Sequence, residues 1–154
     1  LRSPLDGIGS AGTFGCLAHA EGMGAPGGDR GVFDSKARPD VWIGHVTMTV
    51  SDPKRSHDFY AGLGMRSIMV ESDIAITELR GGTHLLFERG APAAPGDAPF
   101  DLMVDDLDAT HARWAAAGYE VSEIIPGDIH SVFVLTDHEG YRTIVYDSHV
   151  DGVV

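Results

Sequence analysis

Cysteine is nearly missing: Cys16 is the only one in 154 residues, which excludes an intrachain disulfide. A chain without that cross-link suits a reducing compartment, and the cytoplasm is the expected location. Long apolar runs are missing too. None approaches the roughly 20 residues needed to span a bilayer, and no basic segment followed by an apolar stretch suggests a secretory leader. Basic residues are scarce. Eleven Lys and Arg against 23 Asp and Glu leave a net charge of -12. Such a surface repels phosphate backbones and anionic headgroups, so neither nucleic acid nor membrane is an expected partner. No Gly-x-Ser-x-Gly elbow, P-loop or dinucleotide fingerprint occurs, which removes the commonest nucleophile and nucleotide chemistries. Cys16 lies in a glycine-rich stretch and is not expected to act as a nucleophile.

What is present divides into two kinds of sequence. Nine glycines fall between Gly7 and Gly31, with no sustained period of 2 or 3.6. A stretch of that kind loses much chain entropy on ordering and has little to bury. Residues 1–40 therefore read as a flexible extension, or else as an arm packed on its own body or on a neighbouring subunit. Phe14, Leu17 and Phe33 are the anchors such an arm would use.

From Val41 the patterning sharpens. Trp42 to Val50 alternates like a strand, with Ile43, His45, Thr47 and Thr49 on one face and Val46, Met48 and Val50 on the other. Ser51 or Asp52 caps a helix that begins at Pro53, runs to about Leu63 and stops at Gly64. Strands are expected over Met65–Glu71, Ile74–Leu79 and Thr83–Glu88. The order then returns: a strand at Phe100–Val104, a cap at Asp105-Asp106, a helix over Leu107–Ala117 stopped by Gly118, and strands over Tyr119–Ile125, His130–Thr136 and Arg142–Tyr146.

The recurrence extends to residue identity. A shift of 54 maps Val50 onto Val104, Asp52 onto Asp106, His57 onto His111, Tyr60 onto Trp114 and Gly64 onto Gly118, and a shift of 58 maps Gly82 onto Gly140 and Phe87 onto Val145. A repeat of this length is one supersecondary unit used twice. The fold class is therefore α+β. Two βαβββ modules, about 41–90 and 99–150, form a curved mixed sheet around a concave pocket with the helices outside. A concave, mostly apolar surface with a few convergent polar groups is a small-molecule site.

With the strings His45-Val46-Thr47-Met48-Thr49-Val50, Asp58-Phe59-Tyr60, Leu63-Gly64-Met65, Val104-Asp105-Asp106-Leu107-Asp108 and Thr136-Asp137-His138-Glu139-Gly140-Tyr141, residues 41–150 resemble the vicinal oxygen chelate superfamily, which includes glyoxalases, extradiol dioxygenases and bleomycin resistance proteins. The resemblance implies a ligand groove on the inner sheet faces and a homodimer. It also implies four metal positions, which fall here on His45, Leu86, Pro99 and Ile144. The shifts of 54 and 58 relate the same positions, His45 to Pro99 and Leu86 to Ile144. Only His45 has a lone pair to give, so no metal cofactor is expected. Ligand contacts are then expected from His45, Thr47, Glu88, Asp101, His130 and Tyr146. The alternative is one divalent Fe, Mn, Ni or Zn held by a shifted set, His45, His84, Glu88 and Asp101, in a glyoxalase-like lyase or dioxygenase. In that metalloenzyme a carboxylate such as Glu88 would move a proton, whereas a metal-free enzyme would use a His45–Asp101 pair as general base. A protein that sequesters a toxic or aromatic compound remains the leading reading.

Several residues also have plain structural readings. His57 and His111 read as partly exposed scaffold, and Asp101 as a paired aspartate within a strand. Trp42, Phe87, Phe100 and Phe133 read as core aromatics, and Ser148, His149 and Asp151 as tail.

Overall fold

The computed structural model describes residues 41–91 and 94–147. All belong to the unit Ala37–Val154, which is compact apart from Leu1–Lys36. The expectations for residues 1–40, including Cys16, and for the tail residues Ser148, His149 and Asp151 lie outside the described residues.

The first module runs β1 (His45–Val50), α1 (Pro53–Gly62), β2 (Arg66–Val70), β3 (Ile74–Glu78) and β4 (His84–Arg89). Its sheet has the order β1-β4-β3-β2, with β1 and β4 parallel and the remaining pairs antiparallel. The second module holds β5 (Gly96–Asp97), β6 (Leu102–Val104), α2 (Leu107–Ala116), β7 (Glu120–Val121), β8 (Val132–Thr136) and β9 (Tyr141–Asp147). Here β5 and β6 both pair in parallel with β9, which continues through β8 to β7. The repeat is therefore a repeat of hydrogen-bonding register. Val50 pairs with Arg89 and Val104 with Asp147, related by the same shifts of 54 and 58.

Each sheet buries one face under its own helix. Met48, Val50, Ala75, Leu85 and Phe87 point outward to α1 and its Tyr60, and Phe133, Leu135 and Val145 to α2 and its Trp114. All are buried and form one core cluster. Both helices start the same way. The Asp52 carboxylate accepts from the Arg55 N–H and the Asp106 carboxylate from the Ala109 N–H, so each occupies an N-cap that satisfies an otherwise free donor.

Four local expectations are corrected. First, the strand expected from Phe100 begins only at Leu102. Between the β5 pair Asp97–Arg142 and the β6 pair Leu102–Val145, four residues of one strand pass two of the other. Pro99 has no N–H to give the ladder, which explains the break. Asp101 consequently lies outside the strands and is exposed, not in a strand core. Second, the strand expected over Tyr119–Ile125 shortens to Glu120–Val121. The Ser122 hydroxyl accepts from the Val134 N–H, and beyond Val121 the pairing continues only through the Ser122 N–H to the Val134 carbonyl and an isolated bridge from Ile125 to Val132. Third, the first strand starts at His45, and Trp42 stands 65% exposed instead of in the core. Fourth, His57 is 5% exposed: Nε2 meets the Ser67 hydroxyl at 2.8 Å and Nδ1 the Asp58 carboxylate at 3.1 Å. A histidine with both ring nitrogens bonded to protein groups is buried scaffold.

The modules join through side chains. Tyr60 Oη donates to Asp137 Oδ2 at 3.1 Å, Tyr141 Oη to the Thr49 carbonyl at 3.0 Å, and Ser51 Oγ to Glu139 Oε1 at 2.6 Å. Phe59 packs edge-on against Tyr119, with ring centroids 5.2 Å apart. Among the described residues no helix is long and apolar enough to cross a membrane.

Candidate functional site

Strand alternation turns the remaining sheet faces inward. In the first module the inner face is laid out in rows that the register fixes. One row is Thr47, Leu86 and Ile76, and the next is Thr49, Glu88 and Ile74. At the sheet end lies a polar row with one residue from each strand: His45, His84, Glu78 and Arg66. The His45 and His84 rings stack 5.4 Å apart at 15°, His84 Nε2 lies 3.5 Å from Glu78 Oε1, and Glu78 is ion-paired with Arg66. In the second module the inner face presents Val132 beside Tyr146, Val134 beside Ile144, and Met103 on the other side of Tyr146. Met103 and Ile144 are 42% and 44% exposed, unusual for apolar residues in the middle of strands.

The structure brings some expected site residues together and separates others. His130 and Tyr146 meet, with rings 5.0 Å apart, and His130 Nδ1 lies 3.1 Å from the Asp147 carboxylate. Thr47 faces inward beside Leu86. Glu88 also faces inward but stands four residues along β4 from His84, about 13 Å at strand rise. Asp101 lies at neither polar group and lines a cavity between the modules. No hydrogen bond or ion pair joins it to His45 among the described residues, so the expected His45–Asp101 base pair is not formed.

Of His45, Leu86, Pro99 and Ile144, only the first has a donor atom, and a divalent ion needs about three from the protein. The residues do not fit that centre. The shifted set His45, His84, Glu88 and Asp101 is spread along the sheet and into the cavity. Among the described residues no three His, Cys, Asp or Glu side chains gather to hold a metal ion.

The cavity between the modules has a volume of about 580 Å³. Leu63 and Met65 after α1, Leu79 and Arg80 after β3, and Arg113 and Trp114 of α2 contribute to its wall. Arg80 closes one side with a bidentate pair to Asp105, at 2.7 and 2.6 Å. The hydrogen bonds and charge of Arg80 hold the Asp105 carboxyl below the usual carboxylate range, and Asp105 in turn pushes Arg80 up. Of this wall, the sequence reading had named only Asp101 as a site residue. The others offered no signal beyond their places in the repeat.

Paired βαβββ modules with outer helices and open inner sheet faces define a class of small domains built to surround a ligand. The family model of the glyoxalase/bleomycin resistance protein/dioxygenase superfamily matches residues 42–145, and the chain belongs to that superfamily. Solved structures agree on the fold. A member of the superfamily from Sphaerobacter thermophilus aligns with a TM-score of 0.60 at 15% identity, covering 70% of this chain and 98% of that one. The lactoylglutathione lyase of Agrobacterium tumefaciens aligns with a TM-score of 0.60 at 16% identity, covering 72% and 96%. A bleomycin-binding protein in complex with bleomycin aligns with a TM-score of 0.56 at 15% identity, covering 71% and 99%. No curated protein matches the sequence.

Proposed function

We propose that the inner sheet faces bind a small, largely apolar or aromatic molecule without a metal centre, and that the protein sequesters it. One observation carries this reading. Three of the four superfamily metal positions hold Leu86, Pro99 and Ile144, while the surrounding face offers Met103, Ile76 and Val134 with Thr47, Tyr146 and His130 as polar contacts. A face of that composition solvates an ion poorly and an aromatic body well. The fold neighbour that binds bleomycin supports the same direction. A second copy of the chain would cover the exposed Met103 and Ile144, so the proposed binding unit is a homodimer.

A second reading, a metal-dependent lyase or dioxygenase, is favoured by membership of the superfamily and by the lactoylglutathione lyase among its fold neighbours. Elemental analysis and calorimetry on the same preparation separate the two readings. The protein is purified from cells supplied with Fe, Mn, Ni and Zn, then titrated with metal-free bleomycin and with planar aromatic compounds. The binding reading expects metal well below one ion per chain and saturable aromatic binding, lost in Ile144→Glu. Stoichiometric metal that disappears in His45→Ala would overturn it in favour of the enzyme.

A further inference from the structure

The two junctions between the modules are related by the internal repeat, and both carry a cavity, about 410 Å³ in one and 580 Å³ in the other, but their walls differ. At the smaller cavity Phe59 packs on Tyr119 and lies 5.9 Å from the His138 ring, and Tyr60 gives its hydroxyl hydrogen to Asp137. Shifts of 54 and 58 turn these residues into those of the other junction: Phe59 into Arg113, Tyr119 into Met65, His138 into Arg80, Tyr60 into Trp114 and Asp137 into Leu79. Two aromatic rings are replaced by arginine side chains, a third by a methionine, and the acceptor of the buried hydrogen bond by a hydrocarbon. All five replacements line the 580 Å³ cavity, which lies inside the roughly 300–1,000 Å³ range of small-molecule sites.

The loss of Asp137's counterpart leaves an unpartnered donor. Trp114 is 4% exposed, and its buried Nε1–H has no hydrogen-bond partner among the described residues. Such a donor is costly to leave unmatched. Beside it on α2, Arg113 makes only a long contact, 3.4 Å, to the hydroxyl of buried Thr110. Arg113 has no ion pair among the described residues, whereas the other charged groups are mostly committed. Glu78 pairs with Arg66, Asp105 with Arg80, and Asp106 caps α2. Asp101 is exposed to solvent.

We infer that this junction is a second ligand site, distinct from the inner sheet faces, for a small carboxylic acid with an apolar body. Its carboxylate accepts from Trp114 Nε1 and pairs with Arg113, and its body lies on Leu63, Met65 and Leu79. Both groups are donors, and an anionic acceptor bonds them more strongly than a neutral one.

The probe is 4-phenylbutyrate, with 4-phenylbutan-1-ol as the uncharged match. The full chain has two tryptophans, so Trp42→Phe assigns the Trp114 indole N–H signal in a ¹H–¹⁵N spectrum. The acid is expected to move that signal downfield and saturate. The alcohol is expected to bind about tenfold more weakly, and Arg113→Gln to remove that advantage while leaving the alcohol's affinity unchanged. Arg113 is exposed, so this variant keeps the core intact. The inference is overturned if the indole signal does not move, if acid and alcohol bind equally, or if Ile144→Glu abolishes binding while Arg113→Gln does not. The last result would place the acid on the inner sheet faces, and a failure of metal-free aromatic binding there would leave this site untouched.

Discussion

Asp137 and Glu139 show how much of the module junction rests on two carboxylates. Asp137 is 5% exposed and accepts from the Glu139 and Tyr141 N–H groups at 2.9 Å through one oxygen and from Tyr60 through the other. Burial pushes the Tyr60 hydroxyl far above its ordinary range, and the neighbouring Asp137 charge adds to it, so Tyr60 stays a donor at any working pH. Burial also pushes Glu139 up, but the hydrogen bonds from the Ser51 hydroxyl and backbone, with His138 nearby, outweigh it and hold Glu139 below the usual glutamate range. The sign follows from linkage. A carboxyl whose pKa is lower when folded stabilises the fold above its unfolded pKa, and this contribution is lost as pH falls through the folded value. Stability is therefore expected to drop, partly through Glu139, as pH falls below the ordinary glutamate range. Glu139→Gln should flatten that limb in urea denaturation series at pH 3 to 7, and an unchanged acid limb would contradict the assignment.

At the scale of elements, the paired caps and the paired stops organise both modules. Asp106→Ala removes the acceptor of the Ala109 N–H and is expected to cost about 1 kcal/mol. Denaturant midpoints check this, and Asp52→Ala should cost a similar amount because its geometry is the same. Gly140 marks the opposite requirement. Its φ of +87° is a conformation that side-chain-bearing residues resist, and an added Cβ would press on Pro95 at 3.0 Å. The helices, their caps and most strands could be read from the sequence because period, cap and stop agree locally. Other features could not. The break at Pro99 depends on pairing with β9, and the side chain of Ser122 replaces ladder bonds that alternation alone would have continued. Burial of His57 depends on Ser67, ten residues further along the chain.

For the whole molecule, the inner faces are the open question of assembly. If a second copy covers Met103 and Ile144, sedimentation equilibrium on the full chain should give twice the monomer mass, and Met103→Glu with Ile144→Glu should return it to one. A monomer at all concentrations that still binds aromatic ligands would refute the dimer and leave the binding proposal standing.

The sequence by itself determined the module and its duplication. Caps, helix stops and apolar alternation are local, and two matched offsets are enough to locate equivalent positions in the two modules. Only the tertiary structure decided which residues meet. His45 stacks on His84 because the register of β1 and β4 sets them side by side, and Glu88 stays distant because it lies further along the same strand. Asp101 turns to the module junction because the ladder breaks at Pro99. The larger cavity beside Trp114 is walled by residues far apart in the chain, which stand where its twin junction keeps a ring cluster and an acceptor.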